Sequence, residues 1–406
     1  MTFQFFILPN NQSENIYITI EGIVNNEILQ FKTPLTIERD EWDHTLQRPK
    51  NIYLKKAKTV FERMNNLKLE LKEYLGEKTK TSLNQGSLAK KIKQICKKDS
   101  EESIENSLLM MTTVYISSRE KIICNSTLKR YKVFLKLIKR YEGYSLNRLY
   151  MYNLDANFIN DFISFGLYEN YSESTIYRTL HFIKTILNFA EKKGLRTSIR
   201  ELNFRKEKQQ RSIVSLSEKE ILMIKKATVP DSLQTAKDWL IISCYTGQRF
   251  SDFMNFSIKQ VVEIDSKVCL NFVQQKTKKK VLLALHPTVI KIIKKNNNSF
   301  PKFLNMQQYN DDIKKVAELA NINEIISARK RFDFRCKNIE TEKFNVISSH
   351  VGRRSFATNF YGKIPTPLLM DATGHATEEM FKKYINPINT TNVVSLSNYF
   401  DQCMRQ

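Results

Sequence analysis

A short segment of this 406-residue chain carries four side chains that could act together on a phosphodiester. They are His350, Arg353, His375 and Tyr384, within SSHVGRRSFATNFYGKIPTPLLMDATGHATEEMFKKY. A helix over residues 349–360 would place His350 and Arg353 one turn apart on one face. A tyrosine hydroxyl can act as a nucleophile, while imidazole and guanidinium groups can donate to the non-bridging oxygens. The combination predicts attack on a phosphodiester without a metal ion.

Each of these residues also has a simple structural explanation when it is taken alone. A single histidine or arginine is most often a solvated or hydrogen-bonded side chain. The spacing is more specific, because H-x-x-R is followed by G-H and then, nine residues after that histidine, by a tyrosine. This arrangement resembles the second conserved box of the tyrosine recombinases, the integrases of phages and mobile elements. The resemblance implies that Tyr384 forms a covalent 3′-phosphotyrosyl link to DNA.

The residues after His375 predict the element that carries the tyrosine. Thr377 can cap a helix, and Glu378 and Glu379 suit its first turn because acidic side chains interact favourably with a helix N-terminus. We therefore expect a helix to begin here, with His375 just before its start and Tyr384 about two turns inside.

A second motif lies upstream, where residues 239–257 read WLIISCYTGQRFSDFMNFS. Taken alone, it predicts a buried helix that ends near Gly247, with Arg249 and Asp252 as a surface pair. Together with the later segment, it resembles the first box of the same family, T-G-x-R-x-x-D/E. The resemblance implies that Arg249 is a catalytic arginine and that Asp252, one helical turn later, is a supporting carboxylate that orients a neighbouring donor.

Two β-rich runs, residues 268–273 and 281–285, flank a lysine-rich turn and predict a hairpin with a basic tip. The family places its catalytic lysine on such a hairpin, so the resemblance implies that Lys276 protonates the departing 5′ oxygen as a general acid. Other lysines of the turn compete for this role or contact DNA phosphate, and turn lysines are most often simply solvated. These others are Lys278, Lys279 and Lys280.

Bulk composition restricts the partners of the protein. The formal net charge of +23 favours a polyanion, with nucleic acid first and an acidic membrane surface second. The sequence has no membrane-spanning apolar run and no signal-like start, so we expect a cytoplasmic protein associated with the nucleoid and not with a membrane. The 6 cysteines lack metal-ligand spacing, which predicts reduced thiols and no metal site.

Two domains are predicted before the motifs. Residues 1–75 predict three short strands and a long helix, with Trp42 at the exit from the sheet, and resemble the arm-type DNA-binding domain of integrases; a protein-binding module is the alternative. Residues 76–106 are predicted mainly as a basic linker with room for one short helix. Residues 107–203 predict a helical bundle that resembles the core-binding, SAM-like domain of the family; a bundle with solvated basic faces is the alternative.

The remaining predictions concern DNA contacts and the last domain. On the final helix of the bundle, we expect Arg178 and Lys184 to contact DNA. A linker is predicted over residues 204–213 and a catalytic domain over residues 214–406. Near its end, residues 393–400 predict a short apolar helix, and the resemblance implies that this tail packs on a neighbouring protomer.

These observations predict a multidomain, mainly α protein with small β-sheets, in the α+β class. The resemblance implies a site-specific recombinase of a mobile element, acting on double-stranded DNA as a homotetramer and existing as a monomer or dimer when free. Its strand exchange consists of two transesterifications that conserve bond energy, so no metal, ATP or other cofactor is expected. A type IB topoisomerase-like enzyme and a non-catalytic DNA-binding regulator are the alternatives.

Overall fold

A computed structural model describes most of the chain, namely residues 2–8, 13–21, 28–77, 85–97, 107–206, 213–332 and 335–385. It divides into two compact units, one formed mainly by residues 1–208 and the other mainly by residues 209–406. Helices dominate both and are accompanied by small antiparallel sheets. This mixed architecture confirms the predicted fold class. The predicted apolar helix at residues 393–400 lies outside the described residues, as does most of the predicted linker at 204–213.

The first unit opens with a three-stranded antiparallel sheet, as predicted. Alternate apolar side chains of its strands are buried on one face, which is the period expected for a sheet covered on one side. Trp42 is 1% exposed and begins a short hairpin after the sheet. The strands are β1 (Thr2–Ile7), β2 (Ser13–Glu21), β3 (Ile28–Glu38), β4 (Trp42–Asp43) and β5 (Arg48–Pro49).

Two helices, α1 (Lys55–Glu77) and α2 (Gln85–Lys97), pack on this sheet. In α2, Leu88, Ile92 and Ile95 are buried at helical spacing, in the same core as the apolar residues of the strands. The short helix for which residues 76–106 were expected to have room is therefore present, and its packing in this core means that residues 85–97 are not a linker. The apolar stripe there is narrow and is interrupted by lysines, so the composition of the segment did not show that the helix would pack in the core.

The predicted helical bundle follows, and Asp155 and Ser172 cap two of its helices through their side chains. Another helix has Cys124 as its N-cap, and Ser126 and Thr127 lie in its first turn. The bundle contains α3 (Leu108–Arg119), α4 (Asn125–Ser145), α5 (Ala156–Tyr168) and α6 (Glu173–Glu191).

The second unit is built around one central helix, α8, which is buried along most of its length and touches five other helices that the structure describes in this unit. Its helices are α7 (Glu218–Lys226), α8 (Asp231–Thr246), α9 (Phe250–Phe253), α10 (Pro287–Lys295), α11 (Met306–Leu319), α12 (Val351–Phe360), α13 (Thr366–Thr373) and α14 (Glu378–Lys382). A buried helix of this kind explains the apolar run that precedes the first motif.

Two small sheets belong to the second unit. One has the order β6-β7-β8, and its β7-β8 hairpin confirms the predicted hairpin with a lysine-rich turn. The other, β9 paired with β10, was not predicted. The strands are β6 (Val261–Ile264), β7 (Lys267–Val273), β8 (Lys280–Ala284), β9 (Ile325–Phe332) and β10 (Arg335–Glu342). Among the helices that the structure describes, none is both long and apolar enough to cross a membrane.

Candidate active site

The end of α8 positions Arg249. Gly247 has a φ of 65°, in the left-handed region, and a Cβ on it would lie 2.5 Å from the ring of Phe356. The chain then turns directly into α9, whose N-cap is Arg249 and whose second residue, Ser251, is followed by the buried Asp252. The side chain of Arg249 is 14% exposed and that of Asp252 is 0% exposed. The surface-pair interpretation of these two residues is therefore wrong.

Asp252 connects the first motif with the hairpin. Its Oδ1 accepts a hydrogen bond from the backbone N–H of Gln275 at 2.8 Å, and its Oδ2 lies 3.9 Å from Nη1 of Arg249. The carboxylate thus anchors the start of the lysine-rich turn and faces the guanidinium at ion-pair distance. The supporting role that the resemblance implies for Asp252 stays a prediction, and its main hydrogen bond goes to a backbone donor.

The start of α12 positions His350 and Arg353. The helix begins at Val351, two residues later than predicted, and His350 is its N-cap. Arg353 is fully buried, and its Nη1 donates to the carbonyl oxygen of Gly247 at 2.9 Å. Its Nη2 donates to Nε2 of His375 at 2.8 Å. One guanidinium therefore joins the ends of α8 and α13.

His350 lies at the open side of this cluster. His350 is an exposed residue, but part of its ring is removed from water. This desolvation is the largest cause of its lowered pKa, and the positive charges of Arg354 and Arg353 are the next largest. Arg249 and Lys276 act on the ring in the same direction. His350 is thus held in the electrostatic field of the other predicted site residues and favours its neutral form.

His375 follows the turn that ends α13, and its hydrogen bonds define its tautomer. The hydroxyl of Thr373 donates to the carbonyl oxygen of Leu369 at 2.6 Å, so it accepts from Nδ1–H of His375 at 2.7 Å. Nε2 then carries the lone pair that accepts from Arg353. Burial first, and then the charges of Arg353 and Arg249, lower the pKa of His375 to about 3. The ring is therefore a neutral acceptor at physiological pH.

Tyr384 lies beside both of these groups. The centroid of its ring is 4.9 Å from that of His375, and Cζ of Arg353 lies 5.2 Å from the tyrosine centroid. Thr377 caps α14 as predicted, but the helix ends at Lys382. Tyr384 therefore lies beyond the helix and not two turns inside it. Its N–H donates to the carbonyl oxygen of Phe381 at 2.9 Å, which forms a tight turn after the helix.

The lysines of the turn have different surroundings. Lys276 is exposed, and its charge contributes to lowering the pKa of His350. Lys279 is paired with Asp371 at 3.1 Å, while Lys278 and Lys280 are exposed. Among the four candidates, Lys276 is the one whose charge acts on the ring of His350. The role of Lys276 as the proton donor stays a prediction, and the ion pair of Lys279 with Asp371 occupies that lysine.

Three buried polar residues of the site were missed by sequence reasoning, namely Gln248, Gln274 and Thr373. One signal for Gln274 was present in the sequence. Leu270 and Phe272 are buried at alternate positions of β7, and Gln274 continues this alternation as an amide on the buried face. A polar side chain at a buried position must find partners, which marks it as part of an internal network.

Positive charge exceeds negative charge in this cluster. Burial first, and then the charge of Arg249, lower the pKa of Arg353 to about 10. Nε of Arg353 is buried and has no hydrogen-bond partner. Asp252 is the carboxylate that acts on both Arg249 and Arg353. A cluster with unused donors and an excess of positive charge suits an anion that accepts several hydrogen bonds, as a phosphodiester does.

The two basic residues predicted on the helical bundle lie on α6. Arg178 is exposed. Lys184 is half-buried, and its Nζ donates to the carbonyl oxygen of Leu202 at 3.2 Å. Arg178 can therefore meet a phosphate as it stands, whereas Lys184 would share its donors between that carbonyl group and DNA.

The protonation of His375 gives a direct test of this geometry. Between pH 6.5 and about 3, the ring of His375 is protonated in the unfolded chain but neutral in the folded chain. The free energy of unfolding therefore falls on acidification across this window, by up to about 1.4 kcal/mol per pH unit. In NMR of protein with labelled histidine rings, we expect one of the five ring signals to keep its neutral-form shift at pH 5. His375→Gln should remove that signal, and full titration of all five rings above pH 5 would contradict the assignment.

Two parts of the sequence match known protein families. Residues 203–390 match the phage integrase family, and residues 107–199 match the phage integrase SAM-like domain. No curated protein matches the sequence significantly.

Several solved structures share the fold. A lambda integrase dimer bound to a core site is 18% identical, with 68% of this chain and 95% of that chain covered and a TM-score of 0.51. Another lambda integrase dimer on the same kind of site is 16% identical over 94% of each chain, with a TM-score of 0.50. The Tn1549 transposon integrase in complex with a circular intermediate DNA is 11% identical, with 73% and 100% covered and a TM-score of 0.55. At these identities the likeness establishes the fold.

Proposed function

Because the chain belongs to the phage integrase family, we propose that it is a site-specific DNA recombinase that cuts and rejoins double-stranded DNA through a 3′-phosphotyrosine intermediate. The observation that carries this proposal is the convergence of three side chains on one point. Arg353 donates to His375, and the ring of Tyr384 lies against both. A nucleophile beside a buried, incompletely paired guanidinium is what covalent attack on a phosphodiester requires.

In the first step, the hydroxyl oxygen of Tyr384 attacks the scissile phosphorus. A bond forms between phosphorus and the tyrosine oxygen, and the bond to the 5′ oxygen breaks. His350 is neutral because of its lowered pKa and can accept the tyrosine proton. Lys276 gives a proton to the departing 5′ oxygen, while Arg249 and Arg353 stabilise the charge on the non-bridging oxygens.

In the second step, a 5′-hydroxyl of the partner strand attacks the phosphotyrosine. The same groups then work in reverse: Lys276 accepts the proton of the attacking hydroxyl, and His350 returns a proton to Tyr384. One phosphodiester is replaced by another, so the sequence of steps needs no external energy source. Each residue role in this scheme is a proposal that the family motifs support, and each can be tested separately.

The partners that we propose are DNA duplexes and further copies of the chain. One tyrosine cuts one strand, so exchange between two duplexes requires four protomers, and a solved lambda integrase forms a tetramer bound to a Holliday junction. We propose a homotetramer on DNA and a monomer or dimer when free. The bundle at residues 107–203 and the catalytic domain at 214–406 would contact the recombination core, with residues 1–75 as an arm-type domain and residues 76–106 as the region that joins it to the bundle. A cytoplasmic location at the nucleoid follows from this substrate.

Capture of covalently bound DNA tests the proposed function. The protein is expressed with its source genome, rapidly denatured and stripped of non-covalent nucleic acid, and the DNA that stays attached is sequenced. We expect one or a few discrete sites. Two duplexes that carry such sites should then yield recombinant products with the purified protein. Absence of attached DNA, or attachment without exchange in the presence of both sites, would contradict a recombinase.

We further expect cleavage to proceed in excess EDTA. Arg249 and Arg353 already supply the positive charge that divalent ions bring to the phosphate in nucleases, and the described part of the chain has no cluster of three metal-ligating side chains. The measurement is formation of the covalent adduct with EDTA, with added magnesium and with neither. Adduct yields within about twofold of one another are expected. Loss of the adduct in EDTA and its return with magnesium would overturn the metal-free mechanism.

A further inference from the structure

We propose that Gln274 is a positioning residue for the recombination chemistry, which holds Arg249 and the lysine-bearing turn in one fixed arrangement. This inference rests on the proposed function, because it assigns a task in the same reaction. Gln274 is fully buried at the end of β7, where its amide would be costly to bury without partners. It belongs to neither of the motifs recognised in the sequence.

The side chain of Gln274 uses its full hydrogen-bonding capacity. Oε1 accepts from Nη1 of Arg249 at 3.1 Å and from the hydroxyl of Thr277 at 2.7 Å. Nε2 donates to Oε1 of Gln248 at 2.9 Å and to the carbonyl oxygen of Thr373 at 3.0 Å. The orientation of the amide follows from chemistry, because a guanidinium can only donate and a carbonyl group can only accept.

The backbone of the same residue closes the turn. Its N–H donates to the carbonyl oxygen of Lys279 at 2.9 Å, and its carbonyl oxygen accepts from the N–H of Lys278 at 2.9 Å. Lys276 lies inside this closed loop. Gln274 thus fixes the turn through its backbone and through Thr277, and it fixes the arginine through the same side-chain oxygen.

Gln248 extends the network to the segment that carries His375. Its Nε2 donates to the carbonyl oxygens of Thr246 at 2.9 Å and Ala372 at 2.7 Å. Gly374 leaves the necessary space, because a Cβ there would lie 2.4 Å from Oε1 of Gln274. The two glutamines therefore join the first motif, the hairpin and the second motif through buried hydrogen bonds.

An amide has a specific advantage over a carboxylate at this position. Arg249 is held by a neutral oxygen at 3.1 Å, while the carboxylate of Asp252 stays at 3.9 Å. The neutral acceptor fixes the direction of the guanidinium and leaves its positive charge available for a phosphate. Gln274→Glu would keep the size of the side chain, neutralise Arg249 and remove the two donated hydrogen bonds.

The test uses single-turnover cleavage of a nicked suicide substrate at saturating DNA. We expect Gln274→Met and Gln274→Glu to bind DNA within about threefold of wild type and to cleave it about 10- to 100-fold more slowly. The matched control is Gln308→Met, which changes an exposed glutamine on α11 and should cleave as wild type does. Thermal unfolding of each variant shows whether the fold is kept. If Gln274→Met does not fold, Gln274→Glu takes its place as the test variant.

A substrate with sulfur at the 5′ bridging position separates positioning from a general loss of structure. A thiolate leaves without protonation, so cleavage of this substrate does not depend on Lys276. On this substrate, the ratio of the wild-type cleavage rate to that of Gln274→Met should be about 10-fold smaller than on the ordinary substrate. The corresponding ratio for Arg249→Ala should be the same on both substrates. A Gln274 variant that cleaves as wild type does, or an equal defect on both substrates, would overturn the inference. A wild-type protein that forms no adduct would instead overturn the proposed function, and this inference with it.

Discussion

Tyr384→Phe will bind the recombination site as wild type does and will form no covalent adduct with it. The substitution removes one oxygen atom, and the ring that packs against His375 and Arg353 remains. The surroundings of the site are therefore kept while the nucleophile is lost, so the loss of cleavage should be complete. The measurement is a denaturing gel of protein incubated with a nicked suicide substrate, alongside a band shift for binding.

Tyr361→Phe is the matched control, because Tyr361 packs against the same small core and its ring lies 6.3 Å from that of Phe381. It should form the adduct at the wild-type rate. A denaturation-resistant band from Tyr384→Phe would mean that another residue attacks the phosphate. If Tyr361→Phe alone abolished the band, the nucleophile would be that residue.

The second large effect is expected from Arg353. Arg353→Ala removes a buried donor from the charge that develops on the phosphate, a loss that corresponds to about 100- to 1,000-fold in rate. DNA affinity should change far less, since most binding energy comes from other phosphates along the duplex. Single-turnover cleavage rates and dissociation constants, measured on the same DNA, separate the two effects.

Arg353→Lys refines this experiment. The lysine keeps a positive charge but cannot donate simultaneously to the Gly247 carbonyl and to His375 from a planar group. We expect a rate between those of wild type and Arg353→Ala. Cleavage by Arg353→Ala within a few-fold of wild type, in a protein that unfolds at the normal temperature, would assign Arg353 a purely structural role.

Much of this site could be predicted because the relevant signals are local in the sequence. Thr377 and the acidic residues after it locate the start of α14, and the spacing from His375 to Tyr384 singles out the tyrosine. The end of that helix could not be predicted in the same way. It ends where Tyr384 closes a tight turn and Ile385 enters a small core, and the packing of Ile385 depends on residues distant in the chain, such as Phe356 and Leu369.

Other features were missed for a related reason. Gln274 has no catalytic motif of its own, and its role becomes visible only when Thr373 and Arg249 are placed beside it. The β9-β10 hairpin is rich in charged residues, which obscures the alternation expected of a strand. For α2, lysines surround a narrow apolar stripe. In each of these cases, the deciding contacts are tertiary.

The full burial of Arg353 has a consequence for the evolution of the domain. Folding removes water from a guanidinium that contacts a carbonyl group, a neutral imidazole and an aromatic face, and desolvation of an ion costs on the order of several kcal/mol. That cost lowers the free energy of unfolding of the chain. An incoming phosphate therefore binds an arginine that has already lost its water. An apolar residue of similar volume would make the fold more stable and the enzyme inactive. Selection for stability alone would therefore erode this site, and its retention requires continued selection for catalysis.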